Sequence, residues 1–152
     1  MLHALKYEGA RDVGIEIGKL YGRELMQSDV FASSERIVPV PLHPEKQRIR
    51  GFNQSEIFAR GISESIPGIQ YSNAVERAIP TSSQTRKSRF ERWKNVETVF
   101  QPGPDSASIE GKKVLLVDDV VTTGATLESC ATILLRNGAT SVCIACIAAA
   151  TI

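Results

Sequence analysis

Two adjacent carboxylates, Asp118 and Asp119, stand just ahead of Thr122-Thr123-Gly124-Ala125-Thr126, and the two halves of this block have opposite charge preferences. Neighbouring ionised carboxylates repel each other unless hydroxyl donors or a divalent cation share them. A threonine-rich turn around a glycine at a helix entrance does the reverse. Its unpaired N–H groups point outward, the glycine lets the backbone approach closely, and the hydroxyls add donors, which together make a cup for a phosphate monoester. A phosphate cup beside an acceptor for a diol or a metal describes a phosphorylated sugar with Mg²⁺ close by. Either half alone would equally suit a strand end or a helix cap; their joint occurrence is what points to a ligand. The sequence holds neither GxxxxGK[ST] nor GxGxxG, so the common nucleotide motifs do not compete.

The elements needed to position this block can be read around it. Val114-Leu115-Leu116-Val117 is an unbroken aliphatic run, as expected for a central strand covered on both faces. It brings the carboxylates to a strand's C-terminal end, the edge at which α/β sheets bind ligands. Thr123 or Thr126 is expected to cap the next helix, with Leu127, Cys130, Ile133 and Leu134 turned inward and Arg136-Asn137-Gly138 ending it. Val142 to Ala149 then returns as a parallel strand, completing a right-handed βαβ unit. Upstream, Val13, Ile17, Leu20, Tyr21 and Leu25 recur at helical spacing between Arg11 and Gln27. The run from Arg36 to Leu42 is β-branched, and its prolines should end a strand near Pro39 to Pro41. Asn53 with Glu56 has the form of a helix start, followed by Ile57, Phe58, Ile62 and Ile66 as the buried stripe. Residues 74–79 and 96–100 suit short strands, the second closed by Pro102-Gly103-Pro104. Between them, Pro80 to Asn95 lacks hydrophobic periodicity and reads as a mobile loop. The alternation as a whole predicts an open, mainly parallel α/β sheet flanked by helices.

At 152 residues, with 42% apolar and 23% charged side chains, the chain suits one well-buried core. Eighteen basic and seventeen acidic residues nearly cancel, so no global field attracts nucleic acid or an anionic membrane. No apolar run approaches the ~20 residues of a membrane helix, which excludes membrane insertion by that route. Cys130, Cys143 and Cys146 are an odd count in apolar surroundings, read as core packing in a reducing cytoplasm rather than as disulfides or a zinc half-site.

The block from Val114 to Thr126 matches, position by position, the hydrophobic-strand, acidic-pair, Thr-Thr-Gly-x-Thr signature of type I phosphoribosyltransferases. The chain resembles their amidophosphoribosyltransferase-like ComF/GntX branch in particular, through Leu5-Lys6-Tyr7-Glu8-Gly9, Val38-Pro39-Val40-Pro41-Leu42-His43, Arg48-Ile49-Arg50-Gly51-Phe52-Asn53-Gln54, Thr81 with Gln84, and Arg92 with Asn95 and Phe100. The resemblance implies a type I phosphoribosyltransferase fold with little or no hood, formed as a single domain over residues 1–152. It also implies that Asp118 and Asp119 receive the ribose hydroxyls and hold Mg²⁺ directly or through water, while Thr122, Thr123, Gly124, Ala125 and Thr126 cradle the 5'-phosphate of phosphoribosyl pyrophosphate. Pro41, Leu42 and His43 become the pyrophosphate loop, in which relatives can carry a cis peptide, with Arg48 and Arg50 adding positive charge beyond it. Pro80 to Asn95 takes the place of a flexible catalytic loop, whose Arg86, Arg89 and Arg92 would meet the charge that gathers as pyrophosphate departs. Lys46, Arg48 and Arg50 together with Arg86, Lys87, Arg89, Arg92 and Lys94 are otherwise a solvated basic face. His43 has a local turn role as an alternative, Asn53 a helix cap, and Trp93 serves either to anchor the closed loop or to stack on an acceptor base.

The activity so implied is transfer of the phosphoribosyl group to a nitrogen acceptor with release of pyrophosphate; ammonia, an amine and a purine or pyrimidine base all remain open as acceptor. A rival class is a non-catalytic competence accessory that binds single-stranded DNA or a helicase-like partner, for which Phe52, Phe90 and Trp93 are a sparse stacking platform. Relatives commonly form homodimers. ComF-type chains usually carry a cysteine-rich zinc segment ahead of the Leu-Lys-Tyr-x-Gly landmark, and no such segment precedes it in this sequence.

Overall fold

A computed structural model describes residues 10–78 and 99–150. The expected loop 80–95, with Arg86, Arg89, Arg92 and Trp93, and the landmark at Leu5 to Gly9 lie outside the described residues.

The elements are α1 (Ala10–Leu25), α2 (Asp29–Ala32), β1 (Arg36–Pro39), α3 (Pro44–Arg50), α4 (Gln54–Ser63), β2 (Gln70–Tyr71), β3 (Val75–Arg77), β4 (Phe100–Pro102), β5 (Lys113–Val121), α5 (Ala125–Arg136) and β6 (Ser141–Ala149), with a 3-10 turn at Ser106–Ile109. Four strands form a parallel sheet in the order β2-β1-β5-β6, while β3 and β4 pair antiparallel beside it. The aliphatic run explains the centre of this sheet. Val114 to Val117 are completely buried, and strand alternation sends successive residues to opposite faces. Val114 and Leu116 join Val38, Leu127, Cys130 and Leu134 beneath α5. Leu115 and Val117 join Ile37, Phe58, Ile62 and Ile66 beneath α4, with Ile17, Tyr21 and Leu25 of α1 packed on them.

Three sequence expectations need correction. Val13 and Leu20 of α1 are 46% and 60% exposed, because the seam against α4 is made by Gly18 and Gly22 instead. A Cβ on Gly61 of α4 would collide with the Ile15 carbonyl oxygen and one on Gly18 would stand 2.7 Å from the Gly61 Cα, so the two helices meet backbone to backbone. Gly61→Val should therefore separate them, at a cost of about 1–3 kcal/mol or more readable by chemical denaturation. Second, core packing holds for Cys130 but only partly for Cys143 and Cys146, because β6 is an edge strand of the sheet among the described residues. Of the β6 residues only Ala145 is buried, and Cys143 and Cys146 are half-buried while Cys130 is fully enclosed. Third, β2, α2 and α3 are short elements that periodicity did not reveal; of the strand expected at 96–100, residues 96–98 lie outside the described residues and Phe100 opens β4.

Candidate functional site

Pairing places the site. Pro39 lies opposite Val117 in adjacent parallel strands, and the ladder continues one step as the Val40 N–H donates to the Val117 carbonyl at 2.8 Å. The segments that leave β1 and β5 consequently emerge side by side at the C-terminal edge of the sheet.

β5 runs on through Val121, so the two aspartates stand within the strand's C-terminal half rather than past its end. Asp118 is only 8% exposed. Its Oδ1 accepts the Ser55 hydroxyl and the Asp119 N–H, both at 2.9 Å, and the Asp119 Oδ1 accepts the Val120 N–H at 2.8 Å. Burial pushes the Asp118 carboxyl up to about 6; the two donors oppose this, and the neighbouring Asp119 carboxylate reinforces it. A group so placed gains from any ligand that brings a hydroxyl donor or a cation.

The turn after β5 differs from expectation in its cap. Neither Thr123 nor Thr126 sits at the cap position. Gly124 does, at φ 82°, with the Thr123 Oγ1 accepting the Ala125 N–H at a long 3.4 Å. A left-handed residue here is a glycine requirement. It turns the chain sharply into α5, whose first N–H groups have no partner within the helix. Asp118, Val120, Val121, Thr122, Thr123, Gly124, Thr126 and Leu127 line one pocket of about 210 Å³. The carboxylate and the helix N-terminus thus open into the same cavity.

The loop after β1 is held from two sides. The Asn53 amide donates to the Val40 carbonyl at 2.9 Å, and the Arg77 Nε donates to the Pro41 carbonyl at 3.2 Å while its guanidinium lies 4.8 Å over the Phe100 ring. Arg77 was not singled out from sequence; one cation in a three-residue strand carries no pattern. Asn53 is indeed a helix cap, accepting the Ser55 N–H. His43 has the local role: its Nδ1 accepts the Glu45 N–H and caps α3. The described peptide bonds are all trans, Val40-Pro41 included. Pro41 and Leu42 line a second cleft of about 610 Å³, in which the carboxylates Glu56 and Glu76 stand beside the donor-bearing side chains of Gln47, Asn53, Tyr71 and Asn73. Arg50 donates to the Gln54 side chain at 3.1 Å, and Arg48 is exposed on α3; neither lines the cup around Asp118.

The phosphoribosyl transferase domain family matches residues 53–151. This chain belongs to that family. Among curated proteins, this phosphoribosyl transferase domain is 31% identical over 150 residues to the DNA utilization protein YhgH of Escherichia coli (strain K12), covering 97% of this chain and 65% of that one. It is 36% identical over 104 residues to Competence protein ComFC of Bacillus subtilis (strain 168), covering 67% and 39%. The chain thus spans less than two thirds of the length of these relatives. In solved structures the fold resembles glutamine phosphoribosylpyrophosphate amidotransferase from B. subtilis (TM-score 0.59, 23% identity, 88% of this chain and 26% of that one) and a hypoxanthine phosphoribosyltransferase from Staphylococcus aureus (TM-score 0.52, 19% identity, 100% and 76%). At such identities the likeness establishes the fold alone, which is the mainly parallel type I phosphoribosyltransferase sheet flanked by helices. No helix among the described residues is long and apolar enough to cross a membrane.

Proposed function

We propose that this phosphoribosyl transferase domain binds phosphoribosyl pyrophosphate with Mg²⁺ and transfers the phosphoribosyl group to a nitrogen acceptor. The observation that carries this reading is the single pocket into which Asp118 and the N-terminus of α5 both open. Backbone N–H groups of the turn around Gly124 would take the 5'-phosphate, Asp118 and Asp119 the ribose hydroxyls, and the loop Pro41 to His43 the diphosphate. The bond from the anomeric carbon to the diphosphate oxygen breaks, a bond from the acceptor nitrogen forms, and the acceptor loses a proton. The chain's own part is to align and neutralise.

The donors present suit Mg²⁺ in one mode only. Asp118 and Asp119 offer hard oxygens, yet no group of three or more His, Cys, Asp or Glu fit to hold a metal exists among the described residues. Mg²⁺ is commonly held by one or two carboxylates together with substrate phosphates. It would accordingly arrive with the diphosphate, supplying charge neutralisation.

A second reading has its support in the relatives, whose names refer to DNA utilization and competence. The domain would then serve DNA uptake, with its sugar-phosphate cup meeting nucleic acid or a protein partner. Calorimetry separates the two. Phosphoribosyl pyrophosphate with Mg²⁺ is expected to bind with a weak dependence on salt, whereas single-stranded DNA engaged through its phosphates loses affinity with a slope of about −0.7 per contact in log–log form. No heat with the activated sugar and Mg²⁺, beside a steep DNA slope, would replace the first reading by the second. Pyrophosphate release across a panel of nitrogen compounds then names the acceptor.

A further inference from the structure

We infer that Ser55 is a positioning residue for sugar recognition, setting the orientation of Asp118 from the first turn of α4. The inference rests on the reading that Asp118 meets the ribose. Ser55 is 4% exposed, and its hydroxyl reaches across sixty-three positions of sequence to Asp118 Oδ1 at 2.9 Å. A hydroxyl buried to that degree needs a partner, and this one has chosen the carboxylate. With the Asp119 N–H on the same oxygen, Oδ1 is held by two donors, which fixes the carboxylate plane about a torsion that is otherwise broad. Asp118 also lines the pocket at the N-terminus of α5, so the carboxylate fixed in this way faces that cavity.

Ser55 is itself held. Asn53 accepts the Ser55 N–H at 3.1 Å and donates to the Val40 carbonyl at 2.9 Å, and Phe52 packs against Ile17, Ile57 and Ile147. Val40, Asn53, Ser55 and Asp118 form a hydrogen-bonded run that joins the end of β1 to the end of β5. The N-terminal turn of α4 therefore sets the two loops at the C-terminal edge relative to each other. It also turns its favourable dipole end toward the carboxylate.

The test compares two probes in the presence of Mg²⁺: ribose 5-phosphate, which presents phosphate and hydroxyls, and inorganic phosphate, which reports the cup alone. The wild type is expected to prefer the sugar phosphate. Ser55→Ala should weaken ribose 5-phosphate about five- to tenfold and leave inorganic phosphate unchanged, while Ser55→Thr, which keeps the hydroxyl, retains most of the wild-type preference. An unchanged preference in the alanine variant, a threonine variant as weak as the alanine one, or equal weakening of both probes with a lowered unfolding midpoint would each overturn the inference. A wild type that binds both probes equally would instead sink the ribose reading of Asp118, and this inference with it.

Discussion

Asp118→Asn combined with Asp119→Asn is expected to abolish Mg²⁺-dependent binding of phosphoribosyl pyrophosphate and to leave a protein more stable than the wild type. A carboxamide at position 118 can still accept the Ser55 hydroxyl and the residue-119 N–H through its amide oxygen, so the local hydrogen bonds survive. What disappears is a buried negative charge beside another. The folded state holds the Asp118 proton up to about pH 6, whereas an unfolded chain releases it near 3.8. Ionisation therefore carries no folding penalty below about pH 4 and its full penalty above about pH 6, so wild-type stability from this group falls as pH rises through that window. The amide variant lacks the penalty and should gain roughly 1–3 kcal/mol at pH 7. Urea unfolding at pH 4 and pH 7 measures it: the two proteins should differ little at the lower pH and most at the higher. Loss of two charge-assisted hydrogen bonds to the ligand predicts a fall in affinity of roughly a hundredfold or more. Unaltered Mg²⁺-dependent affinity in the double variant would remove the diol role, and a variant less stable at pH 7 would contradict the burial penalty.

Gly124→Val should lower phosphate affinity at least about tenfold, through backbone strain rather than a clash within the protein. A Cβ at this position meets no heavy atom within 4 Å, but φ is 82°, where a β-branched residue is a severe outlier. The left-handed conformation costs a non-glycine residue roughly 1–2 kcal/mol. The turn relieves that strain by moving the N–H groups that open into the cup. Gly124→Asn is the informative partner, since asparagine tolerates left-handed backbone better than other side chains. Inorganic phosphate titrations should rank wild type, then asparagine, then valine. Equal affinity across the three would show that the turn's conformation does not govern the cup.

Some of this organisation follows from local pattern. Val114 to Val117 have no polar residue to offer solvent on either face, so this run had to be a central strand, and the acidic pair and threonine turn had to leave from its C-terminal edge. Asn53 as a helix cap was readable from its spacing to Glu56, because capping is an interaction within one turn. The α1 face was misread for an equally physical reason. A periodicity of apolar side chains assumes that side chains make the contact, whereas the Gly18 and Gly22 seam lets backbone touch backbone and leaves Val13 and Leu20 outside. A four-residue glycine spacing was the available signal.

By itself, then, the sequence determined the class of sheet, the central strand and the strand-to-helix turn that carries the candidate phosphate cup, since each depends on residues within a few positions of one another. Tertiary structure alone decided which distant groups brace the carboxylate and the loop after β1: Ser55 against Asp118, Asn53 against Val40, Arg77 against Pro41. Those pairs lie 63, 13 and 36 residues apart; the parallel pairing of β1 with β5 and the seating of α4 beside them bring the first two within hydrogen-bonding reach, and the placement of β3 beside the loop after β1 brings the third. Local spacing contains no trace of a partner chosen by strand register.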